Sequence, residues 1–354
     1  MLLDGLHLPL TTPFYPDGRL NLHKLEHNVA RYSKTPAAGL VALGETGELT
    51  LLSEEETKHV LRSCVGAAAA EKVLIAGVSR DSVVGTLALA ESAAEFGYDA
   101  VLVKRPAMLR DNGRAQRTKE LLAYFQTVAD QSALPVLLYS SAAEDGAILP
   151  AEVVIELAGH TKILGIVEGA RDRERLETIK RGTAGFKRDV TVTSVFAAVT
   201  GRMMNRSEDA EAKDLILATS LTDGGAAVAT PSKTIAKTRT KVVGFQILAG
   251  TTDGMLESLR GGGVGAMPGF AAAAPQACYE VLAAWKDGDE GLAEEKQVRL
   301  ESVAARIERQ LGVAGIKFGC DLNGYYGGMP RLPLLPLTGE ERGEIESLMQ
   351  GMRH

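Results

Sequence analysis

The sequence predicts a (β/α)8 barrel followed by a helical extension, and three features of its 354 residues carry that prediction. Short apolar runs alternate with longer amphipathic stretches from Gly5 onward, and eight such runs can be counted. Each run is nearly continuous in Val, Ile, Leu and Ala, as strands covered on both faces must be. The repetition is regular, which suits a closed barrel better than an open doubly wound sheet.

In chain order the strands are GLHLPLTTPF from Gly5, AGLVALG from Ala38, KVLIAGV from Lys72, AVLVK from Ala100, PVLLYS from Pro135, KILGIVE from Lys162, GFQILAG from Gly244 and GVGAM from Gly263. Helical patterns fill the intervals. They run from Asn21 to Lys34, from Ser53, Asp81 to Phe96, Arg114 to Gln131, Pro150 to Leu157 and Asp172 to Arg181. Ser53 with Glu56 three residues later reads as a capping box. Two further helices, Glu290 to Leu311 and Gly339 to Met352, form the appended region, so the expected division is a barrel over residues 1–288 and helices over 289–354.

One interval breaks the rhythm. About 182–243 is too long for a connection between a helix and the next strand, and it is an insertion. It carries nine Lys/Arg against six Asp/Glu, locally +3 on a chain whose net charge is −6. As a connection leading into strand seven it belongs at the N-terminal face of the barrel, away from the reacting end. Its apolar part, Val190 to Met204, is expected to pack on the barrel's underside or a neighbouring subunit, burying Val195, Phe196 and Val199. The stretch from Leu221 to Lys241 is expected to be the most mobile.

Composition excludes several function classes. At 45% hydrophobic and 24% charged residues the chain can bury a full core, and its acidic balance supplies no field for nucleic acid or anionic lipid. Cys64, Cys278 and Cys320 make neither a disulfide framework nor a metal pair, which suits a cytoplasmic setting. The N-terminal MLLDGLHLPL lacks the basic start of a signal peptide. The uncharged run Gly261 to Tyr279 has the length of a membrane span but is broken by glycines and two prolines, so it reads as backbone with turns. The glycines from Gly261 to Gly265 match no nucleotide loop. His23 and His27 stand at metal-ligand spacing, but no carboxylate motif accompanies them and Leu22, Leu25 and Val29 mark the buried face. No metal or other cofactor is expected.

In a barrel of this kind the reacting groups lie at the C-terminal ends of the strands. That selects Thr12, the GETGE loop from Gly44 to Glu48, Lys104, Tyr139, Val167, Gly250 and Met267. Two glycines around a hydroxyl let backbone N–H groups close on a small carboxylate, although the same pentapeptide also makes an ordinary tight turn. Tyr139 offers a phenol that relays a proton or holds a carbonyl oxygen, or else simply lids the core.

These segments together resemble the dihydrodipicolinate synthase and N-acetylneuraminate lyase family of pyruvate-handling aldolases. TPFYPDGRLNLHKL is similar to the family's opening, GETGE to its GTTGE loop, and LLYSSA to its L-Y-N-x-P strand. ILGIVEGARD resembles its I-G-I-K-E strand, ILAGTTD its S-G-x-D strand and PRLPLLPLT its closing segment. The resemblance implies a homo-oligomer that takes a small-molecule carboxylate.

The departures then shape the expected function. The family's imine-forming lysine falls on Val167, which has no nitrogen for a covalent step. Of the relay, Glu45 replaces the first threonine, Thr46 remains, Met108 replaces a tyrosine and Tyr139 survives. The arginine of the synthases falls on Glu144, which inverts the local charge. The reading is a divergent member that binds a small oxo-acid or sugar-acid with catalysis lost or altered. Its alternatives are an active lyase using Lys104 as a relocated nucleophile, with Tyr139 and Thr46 as catalytic partners, and a structural or regulatory barrel acting through its insertion. The pocket, lined by Thr12, Glu45, Glu144, Val167, Gly250 and Met267, is expected to be anionic unless Lys104 or Arg105 turns inward to pair with Glu45. Lys317, in the look-alike GIKFG of the helical tail, is left out of the site.

Overall fold

The computed structural model describes residues 1–110, 116–141, 148–204 and 238–352. Eight strands close into a parallel barrel: β1 (Gly5–Pro9), β2 (Gly39–Ala42), β3 (Val73–Gly77), β4 (Ala100–Lys104), β5 (Val136–Ser140), β6 (Ile163–Glu168), β9 (Gln246–Ala249) and β10 (Gly265–Ala266), with β10 returning to β1. Their side chains alternate as the pleat requires. Leu40 and Ala42 of β2 join the outer core beneath the helices, whereas Val41 faces inward with Ile75, Leu102, Leu137, Val167, Leu248 and Met267.

The helices between the strands are α1 (Leu22–Tyr32), α2 (Glu54–Ala67), α3 (Val83–Phe96), α4 (Arg117–Gln131), α5 (Ala151–Leu157), α6 (Arg173–Thr183) and α7 (Met255–Arg260). Each predicted helix between the strands is present, and three begin at a side-chain cap: Asn21 accepts from Lys24 N, Asp172 accepts from Arg175 N, and Ser53 and Glu56 form the reciprocal box. The run Gly261 to Tyr279, read as turns, also contains β10 and the start of α8 (Pro275–Lys286), which Pro275 opens from a position that needs no N–H donor. Among the described residues no helix is long and apolar enough to cross a membrane.

The tail departs from its expected two helices. After α9 (Glu290–Ala304) the backbone widens into a π-helical turn over Ala305–Gln310, then restarts as α10 (Gly312–Leu322) before α11 (Gly339–Met349). The expected helix to Leu311 is therefore present over its length but changes to π geometry in its last turn, and α10 is an additional one. The wide turn rotates the face that follows it and brings Glu308 and Arg309 over the barrel.

The insertion opens with β7 (Arg188–Val192), antiparallel to β8 (Arg239–Val243) and outside the barrel sheet. It packs on the N-terminal ends of the barrel strands. Val190 and Val192 bury against Leu2, Thr200 Oγ1 donates to Ala70 O, and Arg188 donates to the carbonyls of Ala158 (2.7 Å) and His160 (2.8 Å). The expected underside location is thus found for the described part, but the burial of its apolar residues is incomplete. Val195 is 80% and Phe196 51% exposed, because Thr193–Ala197 closes a tight turn with Phe196 at φ 61°, which points it outward beneath the Arg239 guanidinium. Most of the stretch Leu221 to Lys241 lies outside the described residues.

Candidate functional site

At the C-terminal end of the barrel lies a cavity of about 400 Å³, walled by Glu45, Thr46, Tyr139, Gly250, Thr251 and Met267 from the barrel and by Glu308, Arg309, Val313 and Ile316 from the tail. A second cavity of about 230 Å³ adjoins it, lined by Glu48, Ser79 and Lys104 and sharing Glu45 and Tyr139 with the first. With Gly44 and Leu102, which also line both, these two side chains form the partition.

The GETGE loop is built under constraint. Gly44–Glu48 folds as a 3-10 turn in which the Gly47 and Glu48 N–H groups bond back to Gly44 O and Glu45 O. Both flanks are non-glycine residues at positive φ, Leu43 at 59° and Glu48 at 54°, a conformation that costs on the order of 1–3 kcal/mol each and needs outside support. Gly77 supports the first flank: a Cβ there would stand 1.9 Å from Leu43 O. The second is held through its side chain, since Glu48 is ion-paired with the buried Lys317 and accepts a 2.8 Å bond from Arg331 N. Lys317 also donates to Met329 O at 3.0 Å and lies 4.4 Å from the centre of the Phe14 ring. Burial lowers its pKa. Its role is to tie α10 to the loop.

Glu45 is the hub of the mouth. Lys104 Nζ forms an ion pair with its Oε1, Tyr139 OH donates to Oε2 at 3.0 Å and Ser141 Oγ donates to Oε1 at 3.4 Å. Lys104 has therefore turned toward Glu45, the pairing that offsets the expected negative charge. Among the described residues it is the one lysine on the walls of either cavity. The remaining expected residues are spread by role. Thr46 lines the cavity, but its hydroxyl is directed to the carbonyls of Pro9 (3.1 Å) and Leu10 (3.2 Å). Thr12 stands behind the loop, donating to Gly47 O at 2.7 Å, and is a scaffold residue where a wall residue was expected. Val167 sits beneath the cavity floor, fully buried and in register with Tyr139. Gly250 and Met267 are on the wall, and a Cβ at Gly250 would meet the Glu168 carbonyl at 3.0 Å. Met108 is 71% exposed, and Glu144 lies outside the described residues.

The strand-end rule missed the tail's contribution. Glu308 Oε1 accepts from Gly269 N (2.6 Å) and Phe270 N (3.3 Å), and Oε2 from Thr252 N (3.2 Å). Burial raises its pKa and those N–H groups oppose the rise. Arg309 follows on the cavity wall, 3.4 Å from Asp253 Oδ2. Nothing in strand periodicity marks either residue. The sequence signal was the pair of opposite charges at the foot of a long helix, which is too common to single out. Among the described residues no cluster of three or more His, Cys, Asp or Glu could hold a metal, and His23 and His27 are exposed.

Comparison with known proteins gives this geometry its context. The profile of the Dihydrodipicolinate synthetase family matches residues 2–204 and 226–352. An L-threo-3-deoxy-hexylosonate aldolase of Hypocrea jecorina is 27% identical over 99% of this chain and 95% of its own. A 4-hydroxy-tetrahydrodipicolinate synthase of Xanthomonas axonopodis pv. citri is 34% identical, over 51% of this chain and 58% of its own length, so this match spans little more than half of that relative. Among solved structures, YagE of E. coli K12 in complex with pyruvate superposes with a TM-score of 0.74 at 22% identity, covering 99% of both chains. The N-acetylneuraminate lyase of Proteus mirabilis gives 0.73 at 19%, covering 99% of this chain and 98% of its own.

Proposed function

This chain belongs to the dihydrodipicolinate synthetase family, and from that premise we propose that it binds a small oxo-acid or sugar-acid reversibly, without forming an imine, with the family's lyase chemistry lost or altered. The observation that carries the reading is the pairing of Val167 below the cavity with Lys104 held by Glu45 above it. A valine supplies no nucleophile, and an ammonium that donates to a carboxylate has no lone pair to attack a carbonyl. The ligand's carboxylate would lie against the Glu45 and Thr46 N–H groups, which stand outside the hydrogen bonds of the 3-10 turn. Tyr139, already donating to Glu45, would turn its hydroxyl to a ligand oxygen. A homo-oligomer in the cytoplasm is part of the same proposal and rests on the family alone.

A second reading is favoured by one observation: Lys104, Tyr139 and Glu45 meet at the partition between the two cavities. If ligand entry broke the ion pair and the ammonium released its proton to water, Lys104 would become a nucleophile, and the Hypocrea relative is an aldolase. The reading in which the insertion carries the function gains less support, because its described part lies at the opposite end of the barrel.

Titration calorimetry with pyruvate and with D-gluconate tests the first reading. Saturable binding of either acid, recovered in full after dialysis, is the expected result, and absence of heat with both contradicts it.

A further inference from the structure

The cavity has a cation that the barrel does not supply. Arg309 comes from the π-helical turn of the tail, and its place on the wall is fixed by the residue before it. The Glu308 carboxyl takes three backbone N–H groups from the loops after β9 and β10, so the wide turn is pinned to the barrel at the one point where the next side chain overlooks the cavity. A π-turn places a side chain where an α-helix would not, which is why such turns recur at functional positions.

The local charge is uneven. Asp253, its side chain 6% exposed, lies between two guanidiniums, Arg171 at 2.9 Å and Arg309 at 3.4 Å. Asp253 is one carboxylate shared by two guanidiniums, and the other acid at this end of the cavity, Glu308, directs its oxygens to backbone N–H groups and not to Arg309. Arg309 is the looser partner and is 39% exposed on the cavity side of the pair. A planar fork that is held at one edge and open at the other suits a bidentate carboxylate.

We infer that Arg309 binds a second carboxylate of the ligand whose first lies against the Glu45–Thr46 turn, so that the preferred ligand is a dicarboxylate sugar acid and not a monoacid. The inference rests on the proposed binding of an acid in this cavity and specifies its class. The volume of about 400 Å³ accommodates a six-carbon diacid with its hydrating hydroxyls.

The test compares D-glucarate with D-gluconate, which differ at one terminus, by calorimetry on the full chain. Wild type is expected to bind glucarate at least tenfold more tightly. Arg309→Gln is expected to remove that preference and Arg309→Lys to retain part of it, with thermal melting confirming that both variants fold. Equal affinities in wild type, a preference that survives in Arg309→Gln, or binding of neither acid overturns the inference, and the acid-binding reading falls with it only if pyruvate too gives no heat.

Discussion

Tyr139 donates a 3.0 Å hydrogen bond to the same Glu45 carboxylate that pairs with Lys104, so one acidic side chain holds both groups from which proton transfer or nucleophilic attack would start. The pair is about two-fifths exposed on each side, 37% for Lys104 and 41% for Glu45, and such pairs are worth roughly 0.2–1 kcal/mol. Glu45→Gln should therefore raise the acetylation rate of Lys104 by no more than about fivefold. Competitive labelling followed by peptide mass spectrometry measures it. An unchanged rate would show that the pair does not restrain the lysine in solution.

Gly77→Ala should disturb the mouth from a distance. The added methyl would overlap Leu43 O, and relief would shift the strained flank of the GETGE turn. A loss of about 1–3 kcal/mol in denaturant unfolding is expected, together with weaker acid binding than the stability loss alone explains. A destabilised variant with unaltered affinity would separate the turn's geometry from binding.

The Glu48–Lys317 pair is buried on both sides, at 1% and 0% exposure, so removing one partner strands a charge. Lys317→Met should cost about 3–5 kcal/mol, and Lys317→Met with Glu48→Asn should recover part of that loss. The four members of the double-mutant cycle are compared by denaturant unfolding, and additive losses would contradict direct coupling.

Acid should destabilise the protein through His7. The ring is fully buried in β1, with Nε2 3.1 Å from Leu3 O, and burial lowers its pKa from 6.5 to about 4. The unfolded chain takes up that proton first, so the contribution is complete above about pH 6.5 and is lost as pH falls toward 4, by on the order of 3 kcal/mol. His7→Gln should flatten unfolding free energy across that window. Glu56 acts lower: bonded to Arg331 at 2.6 and 2.7 Å, its pKa is lowered to about 2, and its contribution is lost as pH falls from about 4.5 through that value.

The barrel was legible because parallel strands buried on both faces leave continuous apolar runs, and several helix starts carried a cap that the structure uses, as at Ser53 and Asp172. The mouth was legible as far as the strand-end rule reaches, which brought Glu45, Lys104 and Tyr139 together from three separate strand ends. Glu308 and Arg309 were not. They arrive from a tail folded back over the barrel, and the π-turn that aims them leaves no trace in helical periodicity. Thr12 shows the opposite failure, since a residue at a strand end can face the neighbouring turn instead of the cavity. Phe196 does too: its hydrophobicity argued for burial, but the tight turn that carries it projects it outward.

The central claim is that no imine forms, because position 167 is a valine; the pair with Glu45 adds only a modest restraint on Lys104. Incubation of the wild-type protein with pyruvate and borohydride, read by intact mass beside a lysine-dependent pyruvate aldolase as positive control, tests it most directly. The account predicts an unchanged mass for this chain while the control gains one reduced pyruvyl group. A stable increment that peptide mapping places on Lys104 would contradict it and establish the relocated nucleophile.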